Sequence, residues 1–76
     1  MKQVILVISA LKLPKGKLAA QTAHAAVEAA HKAEKDEYRQ WRAEGMAKIV
    51  LKVPTEESLY KHVQAAKDAH LPTAVI

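Results

Sequence analysis

Val4-Ile5-Leu6-Val7-Ile8 is an unbroken apolar run, mostly β-branched and too short to make a helix. Such a run reads as a strand buried on both faces, which in a small domain means a central, parallel strand. Pro14 and Gly16 then punctuate the chain. A long helix-forming stretch follows from about Lys17 to Asp36, and a shorter helical piece from about Glu37 to Glu44 carries Tyr38, Trp41 and Arg42. Gly45 stands where a helix C-terminal glycine belongs. Ala47 to Val53 alternates, with Lys48 and Lys52 on one side and Ile49, Leu51 and Val53 on the other, as a more exposed strand does.

Pro54-Thr55-Glu56-Glu57 is a helix start, with Thr55 able to cap and two carboxylates suited to the positive end of the dipole. Leu59, Val63 and Ala66 give that helix its apolar stripe, Leu71-Pro72 ends it, and Thr73-Ala74-Val75-Ile76 reads as a third strand. The order β-α-(α)-β-α-β, with helical crossovers between strands, predicts a single α/β domain over residues 1–76. Its expected architecture is a three-layer sandwich, a small and mainly parallel sheet with helices on both faces. A sequence that stops within an apolar strand is expected to be a shortened form of a longer one, or to pair that strand with another chain. A homo-oligomer burying this strand or the Ala-rich helix is therefore expected.

Size and composition narrow the chemistry. A folded monomer of 8.3 kDa exposes about 4,600 Å² and buries only about 60% of its unfolded surface. There is no cysteine, hence no disulfide framework, thiolate metal site or thiol nucleophile. The aromatic residues are Tyr38, Trp41 and Tyr60 alone, so the core must be largely aliphatic. No apolar run approaches the length of a membrane span, and no signal peptide is recognisable, so no membrane association and a cytoplasmic location are expected. The net charge is +4, and Lys2, Lys12, Lys15 and Lys17 all precede the first carboxylate, Glu28. A basic end on a charge-balanced remainder suits a phosphate-rich partner, although a lysine-rich soluble surface looks the same.

On a helical wheel at about 100° per residue, Lys17, Gln21, His24, Glu28 and His31 fall in a stripe about 80° wide. Nearly everything else on the first four turns is small and apolar. This pattern predicts a helix packed on two sides with its polar line in a cleft or a thin strip of solvent, a place for recognition or proton transfer. The alternative is a plain solvated helix edge. Gly16 at the helix start, flanked by Lys15 and Lys17, offers free N–H groups to an anion. Lys15-Gly16-Lys17 lacks the other residues of a nucleotide-hydrolysing P-loop. His62 lies on the third helix and His70 near its end, while His24 and His31 are seven apart with no cluster of acidic ligands around them, so no metal is expected. Tyr38 and Trp41 read as core or interface rather than stacking platforms, and Ser9 and Ser58 sit in no nucleophile motif.

Lys12-Leu13-Pro14-Lys15-Gly16-Lys17-Leu18-Ala19-Ala20-Gln21-Thr22-Ala23-His24-Ala25, following the first strand, resembles the signature of the archaeal and eukaryotic type of peptidyl-tRNA hydrolase. The likeness runs through Trp41, Gly45, the second strand, the Glu56-Glu57 helix start and Leu71 to Ile76. The Lys-Gly-Lys…Gln-x-x-His core is its specific part. Leu13-Pro14 departs from the usual Met-Gly and should stiffen the loop. The family pattern continues with an Asp-Ala-Gly-x-Thr turn, a strand and a helix, none of which this sequence contains.

The resemblance implies hydrolysis, without a cofactor, of the ester joining a peptide to the 3′ ribose of tRNA, so peptidyl-tRNA is the implied partner. Lys17 would be catalytic, with Gln21 and His24 orienting the site, and Lys12, Lys15, Gly16 and Lys17 would hold RNA phosphates. Because the family's acidic and threonine groups belong to the absent segment, weak hydrolysis is expected. A tRNA- or RNA-binding module without chemistry, and a minimal oligomeric fold fragment without activity, are the alternatives.

Overall fold

The computed structural model describes all 76 residues. The apolar run forms β1, Gln3–Ile8, which passes through a short 3-10 turn at Ser9–Leu11 into helix α1, Lys15–Lys32. Helix α2 spans Lys35–Ala43, strand β2 Lys48–Val53 and helix α3 Glu56–Asp68. The two strands pair in parallel, in register from Gln3 opposite Lys48 to Ile8 opposite Val53. The α/β class and the parallel pairing therefore stand as the sequence implied.

Gln3 donates from its side chain to the carbonyl of Ala26 at 2.8 Å, which fixes α1 over the face of β1 that carries Gln3, Ile5 and Val7. Helix α3 packs against both strands. Leu59 and Val63 of that helix share a groove wall with Leu6 and Leu51, which lie opposite one another on the other face. Only Ile5, Trp41 and Val53 are buried. Trp41 closes the corner between α2 and β2. Its indole donates to the Ala47 carbonyl at 2.9 Å, Tyr38 lies 5.9 Å from it between ring centroids, and the Lys48 ammonium sits 5.0 Å over the ring. Tyr38 and Trp41 are thus packing residues, as expected.

Three expectations are corrected. Thr73 to Ile76 forms no strand, so the sheet has two strands rather than three. His70 adopts a left-handed conformation, φ 61°, that ends α3 through bonds from His70 N–H to Lys67 O and from Leu71 N–H to Ala66 O. Pro72 then has no N–H to give a ladder, and Lys32 holds the Thr73 carbonyl at 3.0 Å. Strand propensity was present, but it had no paired edge.

The helical break also falls earlier than Asp36, and α1 begins at Lys15 rather than Lys17. Ala33 is extended, and Glu34 caps α2 by accepting from the N–H groups of Asp36 and Glu37 at 3.0 and 3.1 Å. Glutamate is an uncommon N-cap, so Ala33-Glu34-Lys35-Asp36 reads as continuous helix by propensity. Lastly, α1 is covered on one side only. Leu18, Thr22, Ala26 and Ala30 are half-buried, whereas Ala19, Ala20 and Ala23 are exposed and Val27 is 67% exposed.

Thr55 caps α3 as expected, its hydroxyl accepting from Ser58 N–H at 3.1 Å, and Gly45 ends α2 at φ 108°. The Glu34 cap makes a pH prediction. The backbone N–H groups of Asp36 and Glu37 hold the Glu34 carboxyl below its ordinary range. A carboxylate with a lowered folded pKa stabilises at pH above its unfolded value and loses that effect as pH falls through the folded one. Glu34→Ala should therefore lower the urea midpoint at neutral pH, and the difference from the parent should shrink in acid. An unchanged difference across that range would mean that the carboxylate charge is irrelevant to the cap.

Candidate functional site

The turn Ser9–Leu11 ends at Lys12, which takes a left-handed conformation, φ 47°, and Pro14 then leads into α1. The first bond of that helix runs from Leu18 N–H to Pro14 O at 2.9 Å. The N–H groups of Lys15, Gly16 and Lys17 consequently have no acceptor within the helix, and Pro14 offers no side chain to cap them. No acidic residue lies in the first turn. The positive end of the α1 dipole is thus bare, carries two lysines and presents open space where a Gly16 side chain would be. Lys12, Lys15 and Lys17 are exposed and join none of the ion pairs of the structure.

Along α1, Gln21 and His24 follow Lys17 at spacings of four and three, on one helical line. His24 Nε2 lies 3.8 Å from Glu28 Oε1, an ion pair when the imidazole is protonated. The line exists as the sequence implied. Its setting differs from a cleft: Lys17, Gln21 and His24 are exposed, and none of them lines the groove described below. His62 bonds the Ser58 carbonyl through Nδ1 at 2.8 Å, His70 serves the end of α3, and Ser9 donates to the Val53 carbonyl at 3.2 Å.

The concave feature lies elsewhere. A mostly apolar groove of about 480 Å³ is lined by β1, Leu51 of β2, the Ala-rich face of α1, the Leu59–Val63 side of α3 and the segment Leu71 to Ala74. Sequence reasoning missed it, because a groove assembled from segments far apart in the sequence has no local residue signature. It also missed Gln3, whose Oε1 is buried without a partner while Nε2 bonds Ala26. A glutamine beside Lys2 reads as surface.

The family model described as Peptidyl-tRNA hydrolase PTH2 matches residues 1–76, the whole sequence. The chain belongs to this family. It is 46% identical over 78 residues to a peptidyl-tRNA hydrolase of Staphylothermus marinus, an alignment covering 99% of the chain and 64% of that protein. With the peptidyl-tRNA hydrolase of Halobacterium salinarum the identity is 43% over 76 residues, covering 100% of the chain and 68% of the relative. That of Methanothermobacter thermautotrophicus is 38% identical over the same coverage. The chain thus spans about two thirds of the length of these relatives, and the match includes the whole Lys12 to His24 segment.

Proposed function

We propose that the chain is a peptidyl-tRNA hydrolase-type protein that binds peptidyl-tRNA and hydrolyses the ester between peptide and 3′ ribose. The observation that carries the proposal is the seating of the family's Lys15-Gly16-Lys17 run as the bare first turn of α1, with Gln21 and His24 on the same line. The chemistry requires water to add to the ester carbonyl carbon, negative charge to gather on the carbonyl oxygen, and the ribose oxygen to leave and take up a proton. An ammonium beside that oxygen stabilises the charge as it develops. Lys17 fills this role or positions the water, and Gln21 and His24 orient the reacting groups from the following turns.

The phosphates of the acceptor end lie against Lys12, Lys15 and the N–H groups of Gly16 and Lys17. This placement satisfies backbone groups that the helix itself leaves without partners. Peptidyl-tRNA as substrate makes the cytoplasm the place of action. Self-association of the chain is part of the same proposal, given how little of it is buried.

Binding without turnover is the second reading. It is favoured by the absence of any acidic group in the first turn of α1 and of any ion pair to Lys17. The test is tRNA affinity as a function of salt, run beside turnover of a peptidyl-tRNA. Affinity should fall steeply from low to physiological salt, and Lys15→Ala or Lys17→Ala should each reduce the log–log slope by about one. Steep salt dependence with no turnover selects the binding module. Salt-independent affinity, or none at low salt, removes the phosphate role of these lysines.

A further inference from the structure

A second concavity, also of about 480 Å³, lies between the last two turns of α1, the helix α2 and the start of β2. No residue from Leu71 to Ile76 lines it. Ala26, Val27, Ala30 and Met46 give it an apolar floor, and the three α1 side chains are short enough for a flat ring to lie against the helix. Tyr38 and Trp41 supply one wall. Trp41 is 7% exposed and keeps its packing role, so it borders a ligand rather than stacking on one. An apolar lining of this volume with a few placed polar groups is the usual make-up of a small-ligand site.

The charges on the rim are of one sign. His31, Lys35 and Lys48 line the pocket and no carboxylate does. None of the three joins an ion pair. The carboxylates on the neighbouring turns are engaged elsewhere: Glu28 with His24 at 3.8 Å, Glu34 with the N–H groups of Asp36 and Glu37, and Glu44 with the Met1 ammonium at 3.5 Å. The Lys48 ammonium rests on the Met46 carbonyl at 3.3 Å and on the Trp41 ring, both weaker partners than an anion.

We propose that this pocket takes one unpaired nucleotide of an RNA strand. The base lies on the alanine floor, the phosphate sits between Lys35 and Lys48, and His31 donates to it. A strand is the source that the molecule favours, because Lys17 stands about 21 Å before His31 along α1. One RNA held at the bare first turn of α1 reaches the other end of the same helix, and the two contacts reinforce one another. The assignment rests on the RNA-binding part of the function proposed above and not on hydrolysis.

Trp41 is the sole tryptophan of the chain, so its fluorescence reports on this pocket. Titration with 5′-AMP should change the emission saturably, as the phosphate draws the Lys48 ammonium off the indole. Intact tRNA should give the same change at lower concentration. Inorganic phosphate, which has no base to bury, should bind about tenfold more weakly than 5′-AMP. Lys35→Ala should weaken 5′-AMP about fivefold. Val27→Glu puts a carboxylate among the three basic groups at a position 67% exposed, where the fold tolerates it. It should weaken both 5′-AMP and tRNA by about tenfold, whereas the uncharged Val27→Gln should stay close to the parent. Lys17→Ala, at the far end of α1, should leave the 5′-AMP response unchanged, so a failure of the hydrolase reading would not touch this result.

No saturable change with 5′-AMP, or a change that Val27→Glu leaves intact, overturns the proposal. Inorganic phosphate binding as well as 5′-AMP would reduce the pocket to a patch of positive charge. A response to 5′-AMP with none to tRNA would make it a site for free nucleotides. Either result overturns the assignment to an RNA nucleotide.

Discussion

Trp41→Ala is expected to leave the chain largely unfolded at room temperature. Trp41 is one of three buried residues, and the other two, Ile5 and Val53, are aliphatic and lie in the sheet. Truncating a buried Trp to Ala typically costs about 3–5 kcal/mol. A domain of this length has about 4–11 kcal/mol in total, and a core so small sits at the low end of that range. The substitution also removes the indole bond to the Ala47 carbonyl, which ties α2 to the start of β2, and the face under the Lys48 ammonium. The loss should appear as a collapsed far-ultraviolet helical signal and a urea transition with no folded baseline. Trp41→Phe keeps most of the apolar contact and drops the N–H, so it should stay folded with a midpoint lowered by the equivalent of about 1 kcal/mol. If Trp41→Ala folds as well as Trp41→Phe, the corner between α2 and β2 is not what holds the molecule together.

Much of this fold is legible locally because the deciding interactions are local. Val4 to Ile8 admits no structure but a strand. Thr55 finds its acceptor role three residues away at Ser58, and Gly45 ends α2 because few other residues take φ 108° without strain. The misreadings arise where the decision is not local. Thr73 to Ile76 has the composition of a strand, but a strand exists only as a pairing. His70, Pro72 and the Lys32 contact direct that segment along the groove without a ladder. The break at Ala33 depends on one carboxylate bending back onto two N–H groups, an event that helix propensity averages away.

The candidate site divides in the same manner. Periodicity alone places Lys17, Gln21 and His24 on one line, since they share a helix and helical spacing is rigid. Whether that line faces a cleft depends on how many strands lie under α1, and the alanine content cannot say. An Ala-rich circumference fits a helix wrapped on two sides. It fits equally a helix whose second side is free, as at Ala19, Ala23 and Val27. The groove beside β1 belongs to the same class of feature: it is assembled from β1, α1, α3 and Leu71 to Ala74, and no single residue in it announces it.

Lys17→Ala is expected to lower peptidyl-tRNA hydrolysis by about 10²- to 10³-fold, the usual cost of deleting one positioned group at a developing oxyanion. The substitution is structurally mild. Lys17 is exposed, in no ion pair, and in the first turn of α1, where alanine is a good helix former. An unchanged helical signal and urea midpoint would therefore assign the lost rate to chemistry or binding. Lys15→Ala separates those two. It lies two residues earlier at the same bare helix end and should raise KM in a salt-dependent way while leaving kcat nearly intact, whereas Lys17→Ala should act mainly on kcat. The comparison is best made both in this chain and in one lengthened by the remaining third of the Staphylothermus marinus relative, which the alignment leaves uncovered. The lengthened chain should be the faster, because the family pattern puts an aspartate and threonines there, and Lys17→Ala should cancel that gain. Equal activity of parent and variant in both backgrounds would strip Lys17 of any part in the reaction. A lengthened chain that folds, binds tRNA and turns nothing over would leave α1 as a binding helix whose Gln21 and His24 orient RNA rather than a reacting ester.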